Sequence, residues 1–150
     1  MNTFLPFSDF ERSARCLDKR RCFKQVVECY QLLNILDGKS MGWRHHPALK
    51  MWVGYRDCLQ HYYNIFYDYC LINHKIKFVK LPKPVIVSYK LPLWMGYEPL
   101  HIAYRANLLR KGLEDILKGR NELMNNLNKC NIWLEDYDIM TPYVWNFPVQ

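Results

Sequence analysis

Asp18-Lys19-Arg20-Arg21-Cys22-Phe23-Lys24-Gln25-Val26-Val27-Glu28-Cys29-Tyr30-Gln31-Leu32-Leu33-Asn34-Ile35-Leu36 runs into the pair Asp37-Gly38. Val26, Val27, Tyr30, Leu33 and Leu36 recur mostly at three and four, the interval that lines the buried face of a helix. The spacing predicts a helix over about 18–36, stopped at Asp37-Gly38. The same stretch holds the densest basic run of the chain, Lys19, Arg20, Arg21 and Lys24. Arg21, Lys24, Gln25 and Glu28 sit three, four and seven apart and so share one stripe. Glu28 is the only acid between Asp18 and Asp37.

Upstream, Ser8 and Glu11 have the spacing of a capping box, which predicts a short helix to about Arg15. Downstream, Gly42 to His46 reads as a loop, and Pro47 suits the first turn of a helix spanning about 47–73. Leu49, Trp52, Val53, Leu59, Tyr63, Phe66 and Cys70 would face inward, with Arg56, Gln60, Asn64 and Asp68 as an outer stripe. Residues 75–97, with Pro82, Pro84 and Pro92, read as an irregular connection. A third long helix should start near Glu98-Pro99 and reach Lys111, followed by a weaker helical stretch over 113–128. The aromatic tail Thr141-Pro142-Tyr143-Val144-Trp145 should pack back on the body. The expected class is all-α: one domain over 1–150, of three long helices, short helices and a proline-rich connection.

With 150 residues, 50% hydrophobic and 23% charged, the chain is unlike disordered or collagenous sequences. No apolar run approaches the roughly 20 residues of a membrane span. Asp9, Glu11, Arg12, Arg15 and the charges from Asp18 to Arg21 leave no apolar core for a secretory signal. The reading is a soluble, intracellular protein with no membrane partner. The net charge of +7 is uneven: 10 basic against 6 acidic residues over 1–57, 5 against 2 over 58–100, and 6 against 6 over 101–150. Uneven positive charge favours a polyanion such as nucleic acid, although many soluble domains are basic without a functional reason. The six cysteines show no C-x-x-C pair, so reduced thiols acting as small apolar residues fit better than disulfides or a metal site. No glycine-rich phosphate loop, H-E-x-x-H or nucleophile elbow is present.

Three constellations could carry chemistry. In the first, the basic stripe holds phosphates by charge, while Glu28 stabilises the positive charge that grows on a sugar ring as its base departs. The bland alternative is a surface Lys24–Glu28 pair worth a few tenths of a kcal/mol. In the second, Arg44, His45 and His46 precede a helix start, where free amides suit a phosphate; the alternative is that His46 only caps that helix. In the third, His101, Arg105 and Asn107, with Arg110-Lys111, could complete a phosphate-binding groove or form an ordinary amphipathic helix.

Several blocks, in order, resemble the small pyrimidine-dimer DNA glycosylase (endonuclease V-like) family. They are Met1-Asn2-Thr3-Phe4-Leu5-Pro6-Phe7, Leu17-Asp18-x-x-Arg21-x-x-Lys24-Gln25-x-x-Glu28, and Gly42-Trp43-Arg44-His45-His46-Pro47-Ala48-x-Lys50-Met51-Trp52-x-Gly54-Tyr55. Later come Pro92-x-Trp94-x-Gly96-x-Glu98-x-x-His101, Arg105-x-Asn107-Leu108-Leu109-Arg110-Lys111 and Pro142-Tyr143-Val144-Trp145. As a set they are similar to a bacterial and viral branch of that family. The resemblance implies an all-α glycosylase and abasic-site lyase that needs no cofactor or metal. Its terminal α-amine would attack the sugar C1′, a Schiff base would form as the base departs, and β-elimination would cut the strand. The resemblance puts Glu28 in the place of the family's helical glutamate. The chain departs from its relatives at Phe23, Val26 and Tyr104, where a glycine, an arginine and a histidine are usual, and Asn2 is a poor substrate for removal of Met1.

The reading is therefore a repair enzyme acting on double-stranded DNA with pyrimidine-dimer-type damage. The amine of Met1 or Asn2 is the expected nucleophile, Lys24 a fallback amine, and Glu28 the carboxylate. Arg20, Arg21, Lys24, Arg44, His45, His46, Lys50, His101, Arg105, Asn107, Arg110 and Lys111 are the expected DNA contacts. The alternative is a non-catalytic DNA-binding or packaging protein on the same scaffold.

Overall fold

A computed structural model describes residues 2–42 and 44–145. They form six α-helices, α1 (Phe10–Cys16), α2 (Lys19–Leu36), α3 (Pro47–Lys50), α4 (Arg56–Asn73), α5 (Glu98–Leu117) and α6 (Glu122–Lys129), with a 3-10 turn at Leu134–Asp136 and no strand among the described residues. The class is all-α, as the periodicity predicts. No described helix is long and apolar enough to cross a membrane. The chain divides into two compact units, one of residues 2–3 and 19–93, the other of residues 4–18 and 94–145.

The first unit is built on α2 against α4. Cys22, Val26, Cys29, Leu32 and Leu33 of α2 are buried, as are Cys58, Leu59, Tyr62, Tyr63, Phe66 and Cys70 of α4. Each large apolar side chain withdrawn from water in this way stabilises the fold by about 1.5–3 kcal/mol. The cysteines are free thiols, and Cys22 Sγ lies 2.9 Å from Cys70 Sγ between the two helices. α2 stops where expected. Gly38 takes a left-handed φ of 75° and Lys39 N donates back to Asn34 O at 2.8 Å, closing the last turn.

The expected single helix over 47–73 is corrected to two. Tyr55 N donates to Trp52 O at 2.8 Å and Gly54 adopts φ 85°, so the chain turns after α3 and restarts as α4. A side chain with Cβ resists that backbone conformation, which is why glycine stands there. The turn leaves Val53 60% exposed, whereas Leu49 and Trp52 are buried as expected. Gln60, assigned to the outer stripe, is buried and donates to Asn64 Oδ1 at 3.0 Å.

In the second unit α1 and α5 both pack with α6. The N-cap of α1 is Asp9, which accepts from Arg12 N at 2.9 Å; this corrects the Ser8 capping box, and Glu11 pairs with Arg15 instead. The third long helix continues to Leu117, past the expected Lys111, and Gly119 at φ 79° separates it from α6. Gly112 lets α6 approach: a Cβ there would stand 3.0 Å from Met124 Cε. The tail folds back through Tyr143, whose ring lies 5.4 Å from that of Tyr104.

Candidate active site

Glu28 sits on the third turn of α2, one turn beyond Lys24 and beside the inward-facing Gln25. Helical spacing brings all three to one side. Trp52 Nε1 donates to Thr3 Oγ1 at 3.1 Å, and both side chains are fully buried, so the start of the described chain is fixed within this unit. Asn2 N then donates to Glu28 Oε2 at 3.2 Å, and Gln25 Nε2 donates to Asn2 O at 2.8 Å and to the same carboxylate oxygen at 3.3 Å. From α4, Tyr62 OH donates to Gln25 Oε1 at 2.7 Å in the interior. A carboxylate, an amide and a phenol thus fix residue 2 against the flank of α2.

The Glu28 side chain is 13% exposed and that of Lys24 is 71% exposed, with Nζ 3.8 Å from Oε1. The bland alternative of a plain surface pair does not describe this carboxylate, because Oε2 is engaged by the backbone and by Gln25 and only Oε1 looks toward the lysine. A partly covered acid keeps more of its electrostatic effect on a nearby charge than a solvated one does. Met1, the other amine-bearing residue expected here, lies outside the described residues.

Arg20, Lys24, Arg44, His45 and Lys50 are exposed, and Arg21 is half-buried. Met41, Arg44, His45 and His46 line an open depression of about 530 Å³. His46 is the N-cap of α3: its Nδ1 accepts from Ala48 N at 3.0 Å. Of the two readings of this helix start, the cap is the one present: α3 spans only Pro47–Lys50 and the imidazole occupies one of its first amides. Partial burial lowers the His46 pKa, an effect that the charge of Glu28 opposes.

Five expected DNA contacts belong to the second unit, and four of them donate to or accept from its own chain. His101 Nε2 accepts from Gly96 N at 3.0 Å, and Nδ1 meets Leu5 O at 2.8 Å, which fixes a neutral ring with its proton on Nδ1. Burial lowers its pKa. Arg105 donates to Pro6 O at 2.8 Å and to Glu98 Oε2 at 3.2 Å. Asn107 Nδ2 donates to Ala103 O at 2.7 Å and Thr141 O at 3.1 Å. Arg110 donates to Ile139 O at 2.7 Å and to Asn107 Oδ1. His101, Arg105 and Asn107 are buried, so they are framework rather than surface that could meet DNA. Arg110 and Lys111 are half-buried.

The family departures have structural places. Val26 is fully buried, on the helix that packs with α4. Tyr104 is buried edge-on to Phe4, at 6.4 Å. Phe23 stacks on Phe78 with ring centroids 5.6 Å apart. Gln25 and Tyr62 are the site residues that sequence reasoning missed. Their signal was a buried amide and a phenol on facing apolar surfaces, each of which must find a partner.

A helical unit thus holds the second residue's backbone nitrogen against a largely covered carboxylate, beside exposed cations. Residues 1–71 match the model of the family described as pyrimidine dimer DNA glycosylase, in agreement with the resemblance carried by the sequence blocks. No curated protein and no solved structure matches the chain significantly.

Proposed function

We propose that this chain is a DNA glycosylase with abasic-site lyase activity, acting on pyrimidine-dimer-type damage in duplex DNA through its terminal amine. The contact of Asn2 N with Glu28 Oε2 at 3.2 Å carries the reading. Removal of Met1 would make that nitrogen the terminal amine; with Met1 retained, the amine is one residue farther out. An α-amine with a pKa near ~8 is partly neutral and nucleophilic at neutral pH. Its lone pair attacks C1′, and the bond from C1′ to the base breaks with its electrons leaving on the base, which takes up a proton. The C1′–O4′ bond then opens, O4′ taking up a proton as the amine gives one up, and an imine forms; it draws electrons from C2′, a proton is lost there, and the C3′–O bond breaks with its electrons leaving on the phosphate oxygen. Glu28 supports these steps by stabilising positive charge at C1′ and by relaying protons from the amine. Lys24, with Nζ 3.8 Å from the other carboxylate oxygen, is the second amine in reach.

Lesion access requires the duplex to bend or the nucleotide to leave the stack, which is easier at a damaged step. Arg20, Arg21, Lys24, Arg44, His45 and Lys50 are the cations and donors available in this unit to hold phosphates. Borohydride trapping on a duplex with one abasic site tests the chemistry. A covalent adduct on the N-terminal peptide that forms on the order of 10²-fold more slowly in Glu28→Gln is expected. Salt-sensitive binding without any adduct would favour the non-catalytic DNA-binding alternative. Intact mass decides whether residue 1 or residue 2 supplies the amine, and acetylation of that amine would exclude it.

A further inference from the structure

Residues 69–97 contain no aspartate or glutamate and five lysines, Lys75, Lys77, Lys80, Lys83 and Lys90. All five are exposed. None of the five is in an ion pair among the described residues. Residues 75–93 contain neither helix nor strand. A connection of this length without secondary structure is uncommon in a compact unit and is usually functional or disordered.

This one is anchored. Phe78 is buried, its ring 5.6 Å from Phe23 and 4.6 Å from Tyr67. Tyr63 OH donates to Pro82 O at 2.8 Å, and Asn64 Nδ2 donates to Val85 O. Tyr89 stacks on His61 at 4.5 Å, and Leu93 N donates to Tyr55 OH at 3.4 Å. The anchors at 78, 82, 85, 89 and 93 are interspersed with the lysines, so the cations stand on a segment held every few residues along α4. Its ordering cost is met in the free protein rather than on binding, which favours affinity. Ile86 and Val79, wholly or almost wholly exposed, lie between them. Cations interleaved with apolar side chains are the composition of segments that follow the DNA backbone and grooves. A protein partner would have to supply several acids against an extended, acid-free strip.

We propose that residues 75–90 form a pinned cationic strap that grips the phosphates of duplex DNA independently of any lesion. The proposal rests on reading the chain as DNA-acting, and it adds to the candidate site a contact surface outside α2 and the 42–50 loop.

The test is fluorescence anisotropy over a salt series, with intact and abasic duplexes, on the wild-type chain, K75Q/K77Q/K80Q/K83Q and the matching Lys→Arg variant. Each phosphate contact contributes about 0.9 to the slope of log K against log salt, so removing four lysines should flatten that slope by about 3.6. The loss should be equal on both duplexes, and the arginine variant should keep the wild-type slope. An unchanged slope in the glutamine variant, or no salt-sensitive binding by the wild-type chain, overturns the strap. So does an equal loss in the arginine variant. Borohydride trapping of the wild-type chain, run alongside, judges the catalytic reading alone. No adduct with the slope difference intact removes the enzyme and leaves the strap.

Discussion

The outward cations of the first unit and two arginines on α5 of the second use their positive charge in opposite ways. Over 19–93 the cations stand outward: Arg20, Lys24, Arg44, Lys50 and the lysines of the strap are exposed, and Arg56 is paired with Asp37 at the surface. In the other unit Arg105 and Arg110 are folded in, their guanidinium forks donating to the carbonyls of Pro6 and Ile139. Side-chain chemistry permits the inward arrangement. A planar fork with five donors can satisfy several backbone acceptors at once, whereas a compact, strongly hydrated ammonium is better left in water. A basic residue is thus a candidate for DNA contact only when no carbonyl nearby has claimed it.

The largest effect should come from Glu28→Gln, which keeps the shape of the side chain and removes its charge. Single-turnover trapping on an abasic duplex should slow on the order of 10²-fold, in the range of a lost acid–base group, with the thermal transition little changed. A normal trapping rate would remove Glu28 from the chemistry. Arg105→Ala should do the reverse. Leaving the buried Pro6 carbonyl without its donor should lower stability by about 1–3 kcal/mol in a urea titration, without changing the salt slope of DNA binding. A variant as stable as wild type but weaker on DNA would break the contrast between the units.

Smaller is the pH effect of His101. Burial depresses its pKa in the folded state below the ordinary 6.5. The unfolded chain therefore binds the proton more readily, and this contribution is fully present above pH 6.5 and lost as pH falls through the lowered value. The transition temperature should drop on acidification below pH 6.5, and NMR should find the His101 midpoint under that value; a midpoint above it contradicts the neutral, doubly bonded ring. The smallest effect belongs to Asp37→Asn. The Asp37–Arg56 pair is bidentate but solvent-accessible, so its loss should be worth no more than about 1 kcal/mol and should vanish in molar salt. Hydrogen bonding from Arg56 lowers the Asp37 pKa, so the pair's contribution persists above pH 3.8 and fades as acid protonates the carboxylate.

The helices were legible where periodicity and a stop signal coincided. α2 needed only its apolar interval and Asp37-Gly38. The break between α3 and α4 was hidden because Trp52 and Leu59 continue a plausible inner face across Gly54, and only the left-handed backbone at that glycine reveals the turn. Glu28 stood out as a lone acid among bases, but no pattern within α2 brings residue 2 to it. That approach is tertiary, and only the family resemblance pointed to it. His101, Arg105 and Asn107 read as an outward stripe because their acceptors, Leu5, Pro6 and Thr141, are distant in sequence. The strap escaped notice because proline-rich irregularity masks what its charge pattern states plainly: five lysines and not one acid from 69 to 97.

The phenol of Tyr62 also sets a direction. It donates to Gln25 Oε1, and a flipped amide would instead set that oxygen against Asn2 O and Glu28 Oε2, two acceptors. The amide hydrogens are thereby aimed at Asn2 and Glu28. The direction of this small polar relay is thus held from both sides, by two acceptors beside α2 and one donor from α4, and a phenylalanine at position 62 would remove the donor while leaving the acceptors to orient the amide.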